Sequence, residues 1–319
     1  MSKYNKPHVV LLGAGASVAV LNDFNGTDKY GKKTSVMNNF IQELGLDEIF
    51  NEYNYKPISK NLEDIYSDLY EKPEYEELRI RLEIAIEDYY FDMVIPDEPT
   101  IYDLLILSLT NKDCIATFNW DPLLVQAYLR VKKITDKLPQ IYYLHGNVFL
   151  GYCEKDFRFG AQHGKCPICN NRYSSVPLLY PIKNKNYDLN SLISSFWRQF
   201  SQQLKDAYIF TIFGYSAPKS DYEAVNLLKE TWNVNGKKLE QFEIIDILSK
   251  DELDEKWKDF EFESHYEYHT SFYDTALSKF PRSSVESLIR QNENAEFIDN
   301  SPKLKKGLSW EELKSIFRL

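Results

Sequence analysis

Three short stretches combine residue types able to bind an anion, hold a ribose and move a proton: "GAGAS" at 13–17, "ATFNWDPLL" at 116–124 and "YYLHGNV" at 142–148. In the first, Gly13 and Gly15 permit a sharp turn on either side of Ala14 and bring backbone N–H groups close to a ligand oxygen. The helix that follows would aim its N-terminal donors at a phosphate, and Ser17 adds a hydroxyl. The same glycine spacing also serves ordinary tight turns. In the second stretch, Asn119 and Asp121 place polar side chains at a strand end. Asp121 also reads as the N-cap of a helix starting at Pro122, a role that leaves Asn119 unexplained. In the third, His145 precedes Gly146 at another strand end. Such a histidine is either a satisfied structural residue or a base that titrates near neutrality.

A fourth stretch has metal-ligand spacing. Cys153 is followed by Cys166 and Cys169 as a Cys-x-x-Cys pair, and a tetrahedral site then needs one more donor. His163 is the nearest soft ligand and Asp156 the weaker choice. A Cys₃His set with no open position is a structural zinc site rather than a catalytic one; the other reading is reduced thiols without metal. With Cys114 there are four cysteines. Two disulfides would suit a secreted chain, but the metal spacing favours a reducing, cytoplasmic setting. That in turn weighs against reading the opening run, two lysines and then thirteen largely apolar residues, as an export signal.

These residues need elements to hold them. Five nearly continuous apolar runs, "HVVLLG", "CIATF", "IYYLHG", "AYIFTIFG" and "FEIIDIL", predict buried parallel strands separated by helices. The expected fold class is α/β, a Rossmann-like doubly wound parallel sheet. About a hundred residues separate the first two runs, so an inserted helical module is expected at about 45–110. It carries "SKNLEDIYSDLY", "KPEYEELRIRLEIAIEDYYFDM" with Pro73 at a helix start, and "TIYDLLILSLT". A small zinc-binding insertion is expected at about 151–190. The sheet domain would span 1–250 and a C-terminal helical extension 251–319. Beyond the fourth run, Gly214 and Ser216 could meet the far end of a dinucleotide. Ser220 or Asp221 reads as the next helix cap. Asp246 ends the fifth run, as a ribose acceptor or an ordinary strand-end carboxylate.

Bulk properties bound the partners. The chain has 319 residues, is 43% hydrophobic and 15% aromatic, and carries a net charge of −10. That charge repels phosphate backbones, so direct nucleic-acid binding is not expected. No run of about 18 apolar residues occurs, so neither is a membrane span.

Taken in order, "GAGAS", "ATFNWD", "YLHG", the cysteine pair, "FGYS" and "IID" resemble the sirtuin family over about residues 8–248. The resemblance implies that Gly13, Ala14, Gly15 and Ser17 contact phosphate and ribose, with Gly214, Ser216 and Asp246 serving the same dinucleotide. It implies that Asn119 and Asp121 face the nicotinamide ribose, and that His145 is the base. It also implies NAD+ as substrate and structural zinc. Three departures stand out. The deacylases' loop after GAG-x-S is replaced by "VAVLNDFNGTDKYGKK". Phe118 replaces the glutamine before the catalytic asparagine, and "VPLLYPIKNKNY" replaces the strand that clamps an acyl-lysine peptide. With the inserted helices, the chain looks like the sirtuin-like domains of bacterial antiphage systems. Those domains cleave NAD+ during infection (abortive infection) within homo-oligomeric assemblies, often with a translocase-type ATPase or another phage-sensing partner. The expected activity is that of an NAD+ glycohydrolase. An NAD+-dependent deacylase or ADP-ribosyltransferase, or a module that senses NAD+ or ADP-ribose without turnover, are the alternatives.

Overall fold

The computed structural model describes residues 3–34, 38–180, 191–218, 221–234, 239–257, 260, 265–296, 298 and 302–317. Among them nine strands form in chain order. They are β1 (His8–Leu12), β2 (Cys114–Thr117), β3 (Gln140–Tyr143), β4 (Leu150–Cys153), β5 (Arg158–Ala161), β6 (Ser174–Ser175), β7 (Ile209–Phe213), β8 (Gln241–Ile245) and β9 (Tyr266–His269). Six build one parallel sheet in the order β3-β2-β1-β7-β8-β9, and β5-β4-β6 form a small antiparallel one. This is the Rossmann strand order, whose reversal between β1 and β7 opens a crevice at the strands' C-terminal ends. β1, β7 and β8 are buried at every position because helices cover both faces of such a sheet.

The helices follow the expected periodicities. Glu76–Phe91 buries Leu78, Leu82, Ile86 and Tyr90, one stripe at every fourth residue. Pro73 begins the short 3₁₀ turn ahead of it, and Asn61 caps Leu62–Tyr70 by accepting from Glu63 N–H at 2.7 Å. Ser191–Asp206 buries Ile193, Phe196, Trp197, Phe200 and Leu204. Helices also form at Lys250–Trp257, Ser284–Asn294 and Trp310–Phe317, within the expected C-terminal stretch. No described helix is long and apolar enough to cross a membrane.

Ile101–Ser108 differs from the rest of the stretch between β1 and β2. All eight of its residues are buried, and it packs against Ala14–Asn22 and Leu123–Val131 in the layer over the sheet. A capping box between Thr100 and Asp103 starts it. Asp103 is held in turn by Arg130, whose Nε donates to Oδ1 at 2.6 Å. The Arg130 guanidinium lies 5.0 Å from the Trp310 ring centroid, so the C-terminal helix helps seal this layer.

The sixth strand, β9, comes from "YEYH" after residue 250 and pairs parallel with β8. Its residues are only partly covered, which is why it lacks the apolar run that marked the others.

A polar chain crosses the sheet beneath the crevice. The Thr211 hydroxyl donates to Glu243 at 2.9 Å and has one proton to give, so it accepts from Nε2–H of His8 at 2.7 Å. His8 Nδ1 therefore accepts from the Ser284 hydroxyl at 2.8 Å. Burial holds His8 down at about 4 from its usual 6.5, against the raising influence of Glu243 and with a small further lowering from Lys112. Between those values the unfolded chain takes a proton that the folded chain refuses, so stability drops as pH falls from 6.5 towards 4. The expected loss is about 3 kcal/mol, read from urea unfolding midpoints across that window. His8→Gln should flatten the dependence, and an unchanged slope would refute the assignment.

Candidate active site

Register aligns the candidate residues in one layer. Leu12 pairs with Thr117 and Phe213, and Thr117 pairs with Tyr143. Ala14, Asn119, His145 and Tyr215 each lie two residues beyond those partners, on the same sheet edge. The ladder continues into the turns: Phe118 N–H donates to Leu12 O at 3.0 Å, Leu144 N–H to Thr117 O at 2.9 Å and Gly13 N–H to Phe213 O at 3.0 Å.

At the strand-order reversal the two glycine turns press together. Gly15 N–H donates to Gly214 O at 2.9 Å, and Gly214 takes a left-handed φ of +61°. A Cβ on Gly214 would lie 2.3 Å from Ala16 N, and one on Gly13 2.5 Å from Tyr215 Cα, so no larger residue fits either turn. Gly13, Gly15 and Gly214 thus bring strand ends together at the crevice floor. Ala14 sits between them at the start of Ala14–Asn22.

Four side chains converge behind this floor, all 8% exposed or less. Ser17 Oγ donates to Asp121 Oδ2 at 2.7 Å and lies 2.8 Å from the Tyr102 hydroxyl. Asn119 Nδ2 donates to Gly13 O at 2.8 Å, to Ser17 Oγ at 3.0 Å and to Tyr102 OH at 3.2 Å. Asp121 Oδ1 accepts Leu123 N–H at 3.1 Å, so the carboxylate also serves the start of Leu123–Val131. Burial pushes the Asp121 carboxyl up, against the stabilising hydrogen bonds from Ser17 and Leu123. Burial likewise pushes the Tyr102 phenol up, so it stays protonated. Tyr102 was not among the residues singled out from sequence, since the run "TIYDLLILSLT" marks only a buried helix. Replacing it with phenylalanine should lower stability by about 1–3 kcal/mol, because Ser17 and Asn119 lose a buried partner. Thermal unfolding of Tyr102→Phe measures this.

His145 is buried, with its ring 4.4 Å from that of Phe118. Phe118 also packs on Tyr215 at 4.6 Å and on Trp197 at 5.9 Å. Two backbone features fix the histidine. Leu179 N–H donates to His145 O at 3.0 Å, and Gly146, at φ +80°, faces Pro177 O so closely that a Cβ would come within 2.0 Å. Val176–Leu179 thus runs directly over the His-Gly turn. Asn147 closes the loop, donating from Nδ2 to Asp121 O at 2.7 Å.

The remaining predicted contacts are more open. Ser216 is exposed beside buried Tyr215. Asp246 is half-buried at the end of β8, where Oδ1 accepts Leu248 N–H at 3.0 Å. Asp221 occupies the N-cap position of Tyr222–Asn233, but its carboxylate accepts from Tyr215 OH at 3.0 Å. Ser220 lies outside the described residues.

Cys153, Cys166 and Cys169 come together as expected, with Asp156 as the fourth member: one ligand atom from each lies within 4.8 Å of all the others. His163 is not there. It takes a left-handed φ of +67° just beyond β5, and its ring lies 5.5 Å from Phe91. The turn between β4 and β5 instead carries Asp156 back over the sulfurs, with Oδ2 at 3.1 Å from Cys166 Sγ and 3.6 Å from Cys153 Sγ. Cys153 Sγ and Cys169 Sγ are 3.5 Å apart. Sulfurs on a tetrahedral zinc are about 3.8 Å apart, so the cluster fits the ion with a few tenths of an ångström of adjustment. Cys114 is buried at the start of β2, away from this group.

No family model and no curated protein matches the chain. Among solved structures it is similar to Sir2 in complex with the inhibitor EX-527, 2′-O-acetyl-ADP-ribose and a deacetylated p53 peptide. That match has 14% identity over 91% of this chain and 94% of the other, with a TM-score of 0.39. It is also similar to a structure described as the basis for the mechanism and regulation of Sir2 enzymes, at 14% identity, 89% and 94% coverage and a TM-score of 0.44. A Sir2 homologue–NAD complex is similar at 14% identity, 91% and 90% coverage and a TM-score of 0.37.

Proposed function

We propose that the chain is an NAD+ glycohydrolase, releasing nicotinamide and ADP-ribose with water as the acceptor. The observation that carries this reading is the buried cluster of Asn119, Ser17, Tyr102 and Asp121 in one layer with His145. It stands at the strand-order reversal where a Rossmann-type sheet receives a dinucleotide. The order of motifs along the chain supports the same substrate.

The chemistry asks little covalent work of the protein. The bond from C1′ to the nicotinamide nitrogen breaks, the bonding pair leaves with neutral nicotinamide, and an oxocarbenium-like ribose develops. Water oxygen bonds C1′ and gives up one proton. Positioning and charge stabilisation therefore dominate. Asn119 points Nδ2 inward, which presents Oδ1 to the attacking water or a ribose hydroxyl. Ser17 acts as a positioning residue, tying Asn119 to Asp121. The Asp121 carboxylate supplies negative potential near the developing positive charge. His145 accepts the proton from water or from the ribose hydroxyl. Gly214, Ser216 and Asp246 would meet the adenosine half. Cys153, Cys166, Cys169 and Asp156 would hold zinc, which supplies structure rather than Lewis acidity, because every ligand position is taken by protein.

The cover over His145 favours water over a protein-borne acyl-lysine. His145 is 4% exposed, and Val176–Leu179 lies across its turn. Product analysis tests the choice. With an acetyl-lysine peptide added, the products should remain nicotinamide and ADP-ribose at an unchanged rate. Formation of O-acetyl-ADP-ribose, dependent on peptide, would establish the deacylase instead. The biological setting, NAD+ depletion in antiphage defence within a homo-oligomer and beside an ATPase or other sensing partner, rests on the resemblance alone.

A further inference from the structure

The edge of the sheet pairs two carboxylates. Parallel register sets Glu243 on β8 opposite Glu267 on β9. Like charges in that position weaken a sheet unless something positive lies between them. His269, two residues along β9, shares their face. Its Nε2 lies 3.8 Å from Glu243 Oε1 and 3.3 Å from Glu267 Oε2. The side chain is 9% exposed, and Nε2 makes no hydrogen bond. One donor atom from each of the three lies within 4.8 Å of the others.

We propose that Glu243, Glu267 and His269 form a second metal site, taking a divalent transition cation of the Mn²⁺ type that pins edge strand β9 to the sheet. Donors in neighbouring positions on an octahedral ion of this type lie about 3.1 Å apart, so the observed 3.3 and 3.8 Å need close by only a few tenths of an ångström to share one metal. Two carboxylates and an imidazole are hard and borderline donors, in contrast to the thiolates of the cysteine cluster, so the two sites select different ions. Glu243 is already oriented as a ligand would be: its oxygens accept from the Thr211 hydroxyl at 2.9 Å and from Ala276 N–H at 3.1 Å. Glu267 is 53% exposed, which leaves one side open for water to complete the coordination. The competing arrangement is an imidazolium between two carboxylates with no metal.

Mn²⁺ titration followed by electron paramagnetic resonance decides between them, since the six-line signal of free Mn²⁺ is lost on binding. The parent, carrying zinc in its cysteine cluster, should bind one Mn²⁺ per chain. Glu267→Gln, at an exposed position where folding is not at issue, and His269→Gln should each weaken binding at least tenfold. Asp156→Asn should leave it unchanged. Absence of binding to the parent up to millimolar Mn²⁺ would overturn the proposal, as would full binding in both β9 variants. Loss confined to Asp156→Asn would overturn it too, by placing the ion among the cysteines.

Discussion

Replacing His145 with alanine is expected to reduce nicotinamide release by about 10²–10⁴-fold, the usual loss for a general base. The fold should survive, because two contacts that fix this turn are made by backbone. Leu179 N–H bonds the His145 carbonyl and Gly146 seats against Pro177, both through backbone. The missing ring leaves a gap beside Phe118, 4.4 Å away, and some loss of stability follows. Near-ultraviolet circular dichroism and an unfolding midpoint separate that effect from the catalytic one. A variant that is folded and retains more than a tenth of the parent rate would remove His145 from the mechanism.

The second large effect concerns the metal. Cys166→Ser is expected to abolish zinc binding and unfold the small sheet of β4, β5 and β6. Three thiols and a carboxylate crowded at 3.1–3.6 Å repel once ionised. Structural zinc contributes on the order of 10–16 kcal/mol in small zinc-dependent folds. Zinc content by atomic emission should fall from one ion per chain to none, and limited proteolysis should cut between residues 154 and 175. Asp156→Ala should weaken zinc retention against a chelator. His163→Ala should not, and a loss of zinc there would contradict the proposed ligand set.

That ligand set illustrates where sequence reading stops. Chemical preference selects His163 over Asp156, but preference says nothing about the turn after β4, and the turn decides which side chain reaches the sulfurs. The five apolar strands were legible because burial on both faces leaves long runs of Val, Ile and Phe. β9 was not, because an edge strand with Tyr266 and Glu267 both exposed carries no such run. The placement of Asn119, Asp121 and His145 just beyond strand ends was legible from the apolar runs that precede them. Tyr102 was hidden, since the polar letters beside it, Thr100 and Asp103, read as the helix cap, and a tyrosine in a helix buried all round reads as core. Thr211 and Glu243 were visible as polar letters within apolar strands, yet the partners that make them intelligible, His8 and His269, are remote in sequence. Ser17 shows a subtler gap. Its place after the glycine turn suggests a ligand contact, whereas the structure directs its hydroxyl inward, to Asp121 and Tyr102.

The most direct test of the account is the rate of nicotinamide release from NAD+ as sole substrate, by the parent and by Asn119→Ala. The account predicts steady release by the parent and a loss of at least a hundredfold in a folded Asn119→Ala. Equal rates in the two would contradict the site, and turnover that appears only with an acylated peptide would contradict the reaction.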